Sequence, residues 1–116
     1  MKALLVKANG YVEYVEIRKG LPALNKAVGG YIEAITLDSK LTMTMFINEA
    51  GKINKLPFNK FATDIYRAYL PTNDYVAGDA IILGLDEEGG SCTLTEEQKN
   101  EILIKSIGKG FDENIN

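Results

Sequence analysis

The chain of 116 residues contains no histidine and no tryptophan, and it has a single cysteine, Cys92. The missing histidine removes both the commonest general base near neutral pH and the commonest zinc ligand. It also rules out a Cys-His nucleophile, which leaves Cys92 as a structural or surface thiol unless another positive group activates it. One cysteine cannot close an internal disulfide, which fits a reducing compartment. Neither a Gly-x-x-x-x-Gly-Lys-Ser/Thr loop nor a Gly-x-Gly-x-x-Gly fingerprint occurs. Gly51-Lys52 and Gly108-Lys109-Gly110 lack both the spacing and the strand-to-helix setting. No apolar run reaches the length of a membrane span. The opening Met1-Lys2-Ala3-Leu4-Leu5-Val6 gives way to Lys7 and a glycine turn, with no signal-peptide core or cleavage site. These absences predict a cytoplasmic protein with no membrane partner.

With 13 basic and 16 acidic residues the formal net charge is −3, and there is no long Lys/Arg block. That balance argues against nucleic acid as a partner, because phosphate-backbone binding draws its affinity from a positive surface. Lys52, Lys55 and Lys60 do lie close in sequence, which keeps a small anionic ligand open; their plainer role is a solvated loop. The hydrophobic share of 46% and charged share of 25% are those of an ordinary folded protein, and the length suits one domain.

The periodicities sketch the elements. Ala3 to Val6 and Tyr11 to Ile17 read as strands joined through Asn9-Gly10, a hairpin pair. Pro22 suits a first helical turn and Gly29 a left-handed residue after a helix end, which predicts a helix over 21–28. Tyr31 to Leu37 reads as a strand. Leu41 to Ile47 alternates apolar and hydroxyl residues, as in a half-buried strand with Leu41, Met43, Met45 and Ile47 facing the core. Asp38-Ser39-Lys40 joins the two. Asn59 can cap a helix with Phe61, Ala62, Ile65, Tyr66 and Tyr69 on one face, ending at Pro71. Ala80-Ile81-Ile82-Leu83 is continuously apolar and belongs at the sheet centre, covered on both faces. Asp86-Glu87-Glu88-Gly89-Gly90 is a charged turn, and Thr95 to Gln98 has the spacing of a capping box ahead of a C-terminal helix with Ile102, Leu103, Ile104 and Ile107. Glu101 and Lys105 are spaced for an ion pair on that helix. The predicted class is α+β: a single domain over residues 1–107, with a mixed or antiparallel sheet and two further helices after a strand-strand-helix-strand-strand start that resembles a β-grasp roll. Residues 108–116 are expected to form a flexible tail.

Val28-Gly29-Gly30-Tyr31-Ile32-Glu33, Asn48-Glu49-Ala50-Gly51-Lys52, Leu56-Pro57-Phe58-Asn59 with Ala62-Thr63, and Ala77-Gly78-Asp79-Ala80-Ile81-Ile82 follow in that order. Together they resemble a family of small proteins of uncharacterised function encoded mainly by phages, plasmids and other mobile elements of Gram-positive bacteria. The resemblance spans roughly residues 21 to 84 and leaves the acidic C-terminal third outside it. It implies a protein that acts stoichiometrically on its host, with takeover or counter-defence as the class of activity.

Each of these positions has a structural and a functional reading. Gly29 and Gly30 stop a helix and turn the chain into a strand, or they let a ligand approach the backbone beside Tyr31. Asn59 caps a helix, or that helix start accepts a phosphate or carboxylate beside Lys60, with Thr63 one turn on. Glu49 lies at a hairpin end that does not itself require a carboxylate. The candidate ligand-binding set is therefore Gly29, Gly30, Tyr31, Glu49, Asn59, Lys60 and Thr63, with no catalytic residue, metal ligand or cofactor assigned. The leading expectation is a non-enzymatic binding protein that sequesters a small anionic, nucleotide-like signal. The first alternative is an inhibitor or adaptor of a host protein, using a sheet edge or the acidic C-terminal helix. The second is an enzyme that works through carboxylates or a divalent metal such as Mg²⁺, which would need Glu33, Glu49, Asp64 or Asp79 to converge. A homo-oligomer stays open.

Overall fold

The computed structural model describes residues 1–40 and 42–115, with side chains described through residue 107. The elements are β1 (Lys2–Val6), β2 (Val12–Glu16), α1 (Leu21–Val28), β3 (Ile32–Thr36), β4 (Met43–Asn48), α2 (Lys60–Tyr69), β5 (Ala80–Leu85), β6 (Ser91–Cys92) and α3 (Glu96–Ile115). The strands form one sheet in the order β2-β1-β5-β4-β3, with β6 also paired to β5. Every strand pair among the described residues is antiparallel, which decides between the mixed and antiparallel forms of the α+β expectation. Two hairpins, β1–β2 and β3–β4, are zipped together by β5, whose Ile82 lies opposite Leu4 on one side and Met45 on the other. The tail expected over 108–116 falls on residues whose side chains lie outside the description, and residue 116 lies outside it altogether.

Local chemistry sets the element ends. α1 has no side-chain cap at its start and relies on Pro22; it stops at Gly29, which has φ of 76°, a left-handed conformation that glycine adopts without a Cβ penalty. Asn59 caps α2 by accepting the Ala62 N–H at 3.0 Å. Thr95 and Gln98 form a reciprocal capping box, Gln98 N–H donating to Thr95 Oγ1 at 3.1 Å and Thr95 N–H to Gln98 Oε1 at 3.0 Å. The Glu101–Lys105 pair is absent from the ion pairs of the described residues, because both side chains turn to Tyr69 instead. The Tyr69 hydroxyl donates to Glu101 at 2.6 Å, and the Lys105 ammonium sits 4.4 Å from the ring centroid. Burial and then that bond to Glu101 push the Tyr69 phenol far above its ordinary value.

Helices cover both faces of the sheet. Leu4, Val6, Met43, Met45, Ile47 and Ile82 pack under α2 and α3, where Ile65 and Ile102 are fully buried. Ala3, Phe46, Ile81 and Leu83 face the other way, toward Leu24 and Val28 of α1. Burying each large aliphatic side chain of this kind is worth about 1.5–3 kcal/mol. The half-buried reading of β4 is corrected here: all six of its residues are buried, Thr44 and Asn48 included. Alternation shows which residues share a face, but it cannot show that α1 roofs the second face. Met43, Met45 and Ile47 face the core as expected; Leu41 lies outside the described residues.

The β3–β4 turn is clamped by Asp38, which accepts the Thr42 N–H at 2.7 Å, the Met43 N–H at 3.1 Å and the Thr42 hydroxyl. Burial pushes this carboxyl up, but these donors, together with its own backbone N–H, outweigh it and hold it below its ordinary 3.8. A carboxyl depressed by folding contributes stability that is whole above the unfolded value and is lost as pH falls through the folded one. Thermal melts of the wild type should therefore show a loss of stability setting in below about pH 4, and Asp38→Asn should remove that component. An unchanged acid limb in the variant would show that the clamp carries no charge-linked stability.

Candidate ligand-binding groove

α1 is only eight residues long and lies against β3, β4 and β5. The opposite face carries two helices, so the side of the sheet formed by β1 and β2 is left unroofed beside α1. A groove of about 920 Å³ runs there, floored by Leu5, Val15, Ile17 and Ile81 and walled by Pro22, Ala23 and Ala27. Val15 and Ile17 are half-buried, although strand alternation would let a helix cover them. The volume is at the upper end of the roughly 300–1,000 Å³ usual for small-molecule sites.

Lys7, Arg18, Lys19 and Lys26 rim this groove, together with Asp79. Among the described residues none of the four cations is paired with a carboxylate. Asp79 Oδ1 accepts the Ala8 N–H at 2.9 Å, which fixes the β1–β2 turn against the start of β5. The lining thus carries a formal charge of +3, four cations less one carboxylate, on a chain whose net charge is −3. An apolar floor of low polarizability under unpaired cations strengthens their field for an incoming anion.

The seven sequence candidates lie along other parts of the surface and core. Asn59 and Thr63 are each 1% exposed. The Asn59 amide donates to the Val6 and Gly78 carbonyls at 2.9 Å each, while its oxygen caps α2. Thr63 Oγ1 accepts the Val76 N–H at 2.9 Å. Lys60 pairs with the buried Asp64 at 3.0 Å, one turn along α2. Gly30 packs against the Asn48 amide, which a Cβ would meet at 2.8 Å, and that amide donates to Val28 O at 3.2 Å. Tyr31 is 74% exposed at the start of β3, and its carbonyl accepts the Glu49 N–H at 2.9 Å. Gly29 lines one concavity, Asn59 and Lys60 a second, and Glu49 a third. Tyr31 and Glu49 are thus brought together, as are Asn59, Lys60 and Thr63 on α2, in separate places.

The carboxylates divide in the same way. Glu33 and Glu49 share a concavity of about 60 Å³ with Asp74, far below small-molecule size, whereas Asp79 lines the groove and Asp64 is buried on α2. Among the described residues no three His, Cys, Asp or Glu side chains gather as a metal site. In the Lys52–Lys55–Lys60 cluster, Lys52 bonds Asp74 and lies 4.6 Å from the Tyr75 ring centroid. Asp74 holds the Lys52 ammonium above its ordinary value, and Lys52 holds Asp74 below its own.

The groove cations come from three short stretches between residues 7 and 26, which the β1–β2 hairpin and α1 bring to one rim, and the Lys52–Lys55–Lys60 cluster gave no hint of them. One signal was available. β2 and the residue after it carry apolar side chains on both faces, Val12 and Tyr14 under the helices and Val15 and Ile17 on the other side, which is one more apolar face than an edge strand with a single helix layer needs.

Fold and groove together define a small α+β domain with one sheet face half-covered and rimmed by cations. By sequence the chain belongs to the family described as Domain of unknown function (DUF3846), which matches residues 1–109. That match extends beyond residues 21–84 in both directions and takes in β1, β2 and much of α3, so the C-terminal region is not outside the family domain. No curated protein and no solved structure gives a match. No helix among the described residues is long and apolar enough to cross a membrane.

Proposed function

We propose that this is a non-enzymatic binding protein, encoded by a mobile element and working in the cytoplasm of its bacterial host, where it holds a small anionic, nucleotide-like ligand. Sequestration of such a signal would serve counter-defence. The observation that carries the reading is the groove between α1 and the β1–β2 hairpin, with an apolar floor and four cations unpaired among the described residues. The ligand site moves there from the Asn59 helix start, because the polar atoms of Asn59 and Thr63 are consumed by backbone groups of the fold.

The test is a thermal-shift panel of nucleotides, coupled with denaturation of freshly purified protein to look for a released small molecule. A ligand present at a hundred times its Kd adds about 2.7 kcal/mol, which should raise the melting temperature of a chain this size by on the order of 10 °C. The double variant Arg18→Glu with Lys26→Glu should abolish the shift. Its own stability should stay within about 0.5 kcal/mol of wild type, both residues being exposed. No released molecule and no shift across the panel would remove the reading.

The inhibitor or adaptor reading keeps one specific support, the exposure of Ile104 and Ile107 on α3, 71% and 66% respectively. Deleting residues 93–116 cannot test it, because Leu94 and Ile102 belong to the core. Ile104→Lys with Ile107→Lys leaves that core intact and should weaken retention of a host protein if this surface is the contact.

A further inference from the structure

The cations of the groove are grouped at its two ends. Ile17 N–H donates to Met1 O at 2.8 Å, so Arg18 and Lys19 lie past the start of β1, whereas Lys7 follows its end. Lys26 is in the last turn of α1, and the residues that close that helix, Val28 and Gly29, line a concavity together with Lys7 and Ala8. Lys26 therefore belongs to the Lys7 end. From the level of Met1 to Lys7 is six residue steps, roughly 20 Å of backbone at about 3.3 Å each; the inward reach of long side chains shortens the gap between the charges. Leu5, Val15, Ala23, Ala27 and Ile81 fill the interval without a charge.

We infer that the groove takes a ligand with anionic groups at its two ends and a body between them that can lay planar or apolar surface on the floor, the chemistry of a dinucleotide phosphorylated at both ends rather than of a mononucleotide. This rests on the small-anion reading above and specifies it. The two ends are not equal. Asp79 offsets one of the two charges at the Lys7–Lys26 end, while Arg18 and Lys19 stand without a carboxylate in the lining. The Arg18–Lys19 end is the stronger anion site, and the planar guanidinium of Arg18 can engage a phosphoryl group through two parallel N–H donors. A ligand with one phosphoryl group gains from that end alone. A ligand with two gains from both, and the joining body covers the apolar floor.

The experiment is calorimetric titration of the full chain with pApAp, a dinucleotide phosphorylated at both its 5′ and 3′ ends, and with AMP, for wild type, Arg18→Glu/Lys19→Glu and Lys7→Glu/Lys26→Glu. Far-UV circular dichroism and a melt confirm that each variant is folded. The dinucleotide should bind wild type at least tenfold more tightly than AMP. Either double variant should weaken the dinucleotide by tenfold or more, whereas AMP should lose affinity only with Arg18→Glu/Lys19→Glu. AMP binding as tightly as the dinucleotide, or dinucleotide binding that survives reversal of one end, would overturn the two-ended site while leaving a small-anion site standing. Binding of neither probe to wild type would overturn the two-ended site, and the nucleotide panel above would then decide the small-anion reading separately.

Discussion

Asn59→Ala should bring the protein close to unfolding, with a loss on the order of 3–6 kcal/mol in urea denaturation. The side chain is 1% exposed and all three of its polar hydrogens and lone-pair directions in use point at backbone: it donates to Val6 O and Gly78 O and accepts from Ala62 N. Those partners belong to the end of β1, the turn before β5 and the first turn of α2, so one amide ties three segments together. Removing it leaves buried backbone groups without partners, and each orphan costs about 1–3 kcal/mol. Set against a typical total of about 5–15 kcal/mol, that is a large fraction. Asn59→Ser can still cap α2 and should recover about 1 kcal/mol over the alanine variant, but it cannot reach both carbonyls. If Asn59 were chiefly a ligand contact, the alanine variant would keep its urea midpoint and lose only binding. An unchanged midpoint would therefore sink the structural assignment.

Gly51→Ala is the second large effect, expected at about 3 kcal/mol. A Cβ at this position would come nearer than 3.0 Å to the Ala77 carbonyl oxygen, with Asn48 O at 3.3 Å. Neither obstacle is a side chain that can swing aside. The segment cannot slide either, because Gly51 N–H donates to Asn48 O at 3.1 Å and its carbonyl accepts the Leu56 N–H at 2.9 Å. The methyl group must be accommodated by separating the 49–56 turns from the strand leading into β5. Gly30→Ala is the informative comparison: the atoms nearest its Cβ belong to the Asn48 side-chain amide and not to backbone. That side chain can move only at the expense of its bonds to Val28 O and from the Ala50 N–H, so a cost of about 2 kcal/mol is expected. Equal melting temperatures for the two variants would show that the 49–56 turns yield more readily than their hydrogen bonds suggest.

Both positions come from the fragments on which the family resemblance rests, and the structure explains what those fragments have in common. Gly30 meets Asn48, Gly51 meets Ala77, Asn59 spans Val6 and Gly78, and Thr63 holds Val76. They form a set of close backbone approaches at one end of the sheet. Several residues of the candidate ligand-binding set have side chains occupied in holding loops together. The structural reading, a helix stop at Gly29 and a cap at Asn59, is what the backbone geometry and hydrogen bonds display.

Local rules settle over short distances, which is why so much of the fold was legible. Pro22 and Gly29 bracketed α1 to the residue, Thr95 and Gln98 announced the start of α3, and the unbroken apolar run at Ala80 to Leu83 announced the central strand. The Glu101–Lys105 pair shows where such rules stop. Spacing made the two neighbours, but Tyr69 from α2 offered each a better partner. The groove lies wholly beyond them. Its cations come from the end of β1, the link from β2 to α1, and the last turn of α1, and no spacing along the chain relates them.

The amino-acid sequence alone thus determined the α+β class, the helix ends and the absence of histidine-based chemistry, because each depends on residue type and on neighbours within a few positions. Only the tertiary structure decided that β4 is buried on both faces, that Asn59 and Thr63 are spent on the scaffold, and that four cations gather around an open apolar floor. Those outcomes depend on which layer covers which face, and an eight-residue α1 is too short to roof a five-strand path of sheet.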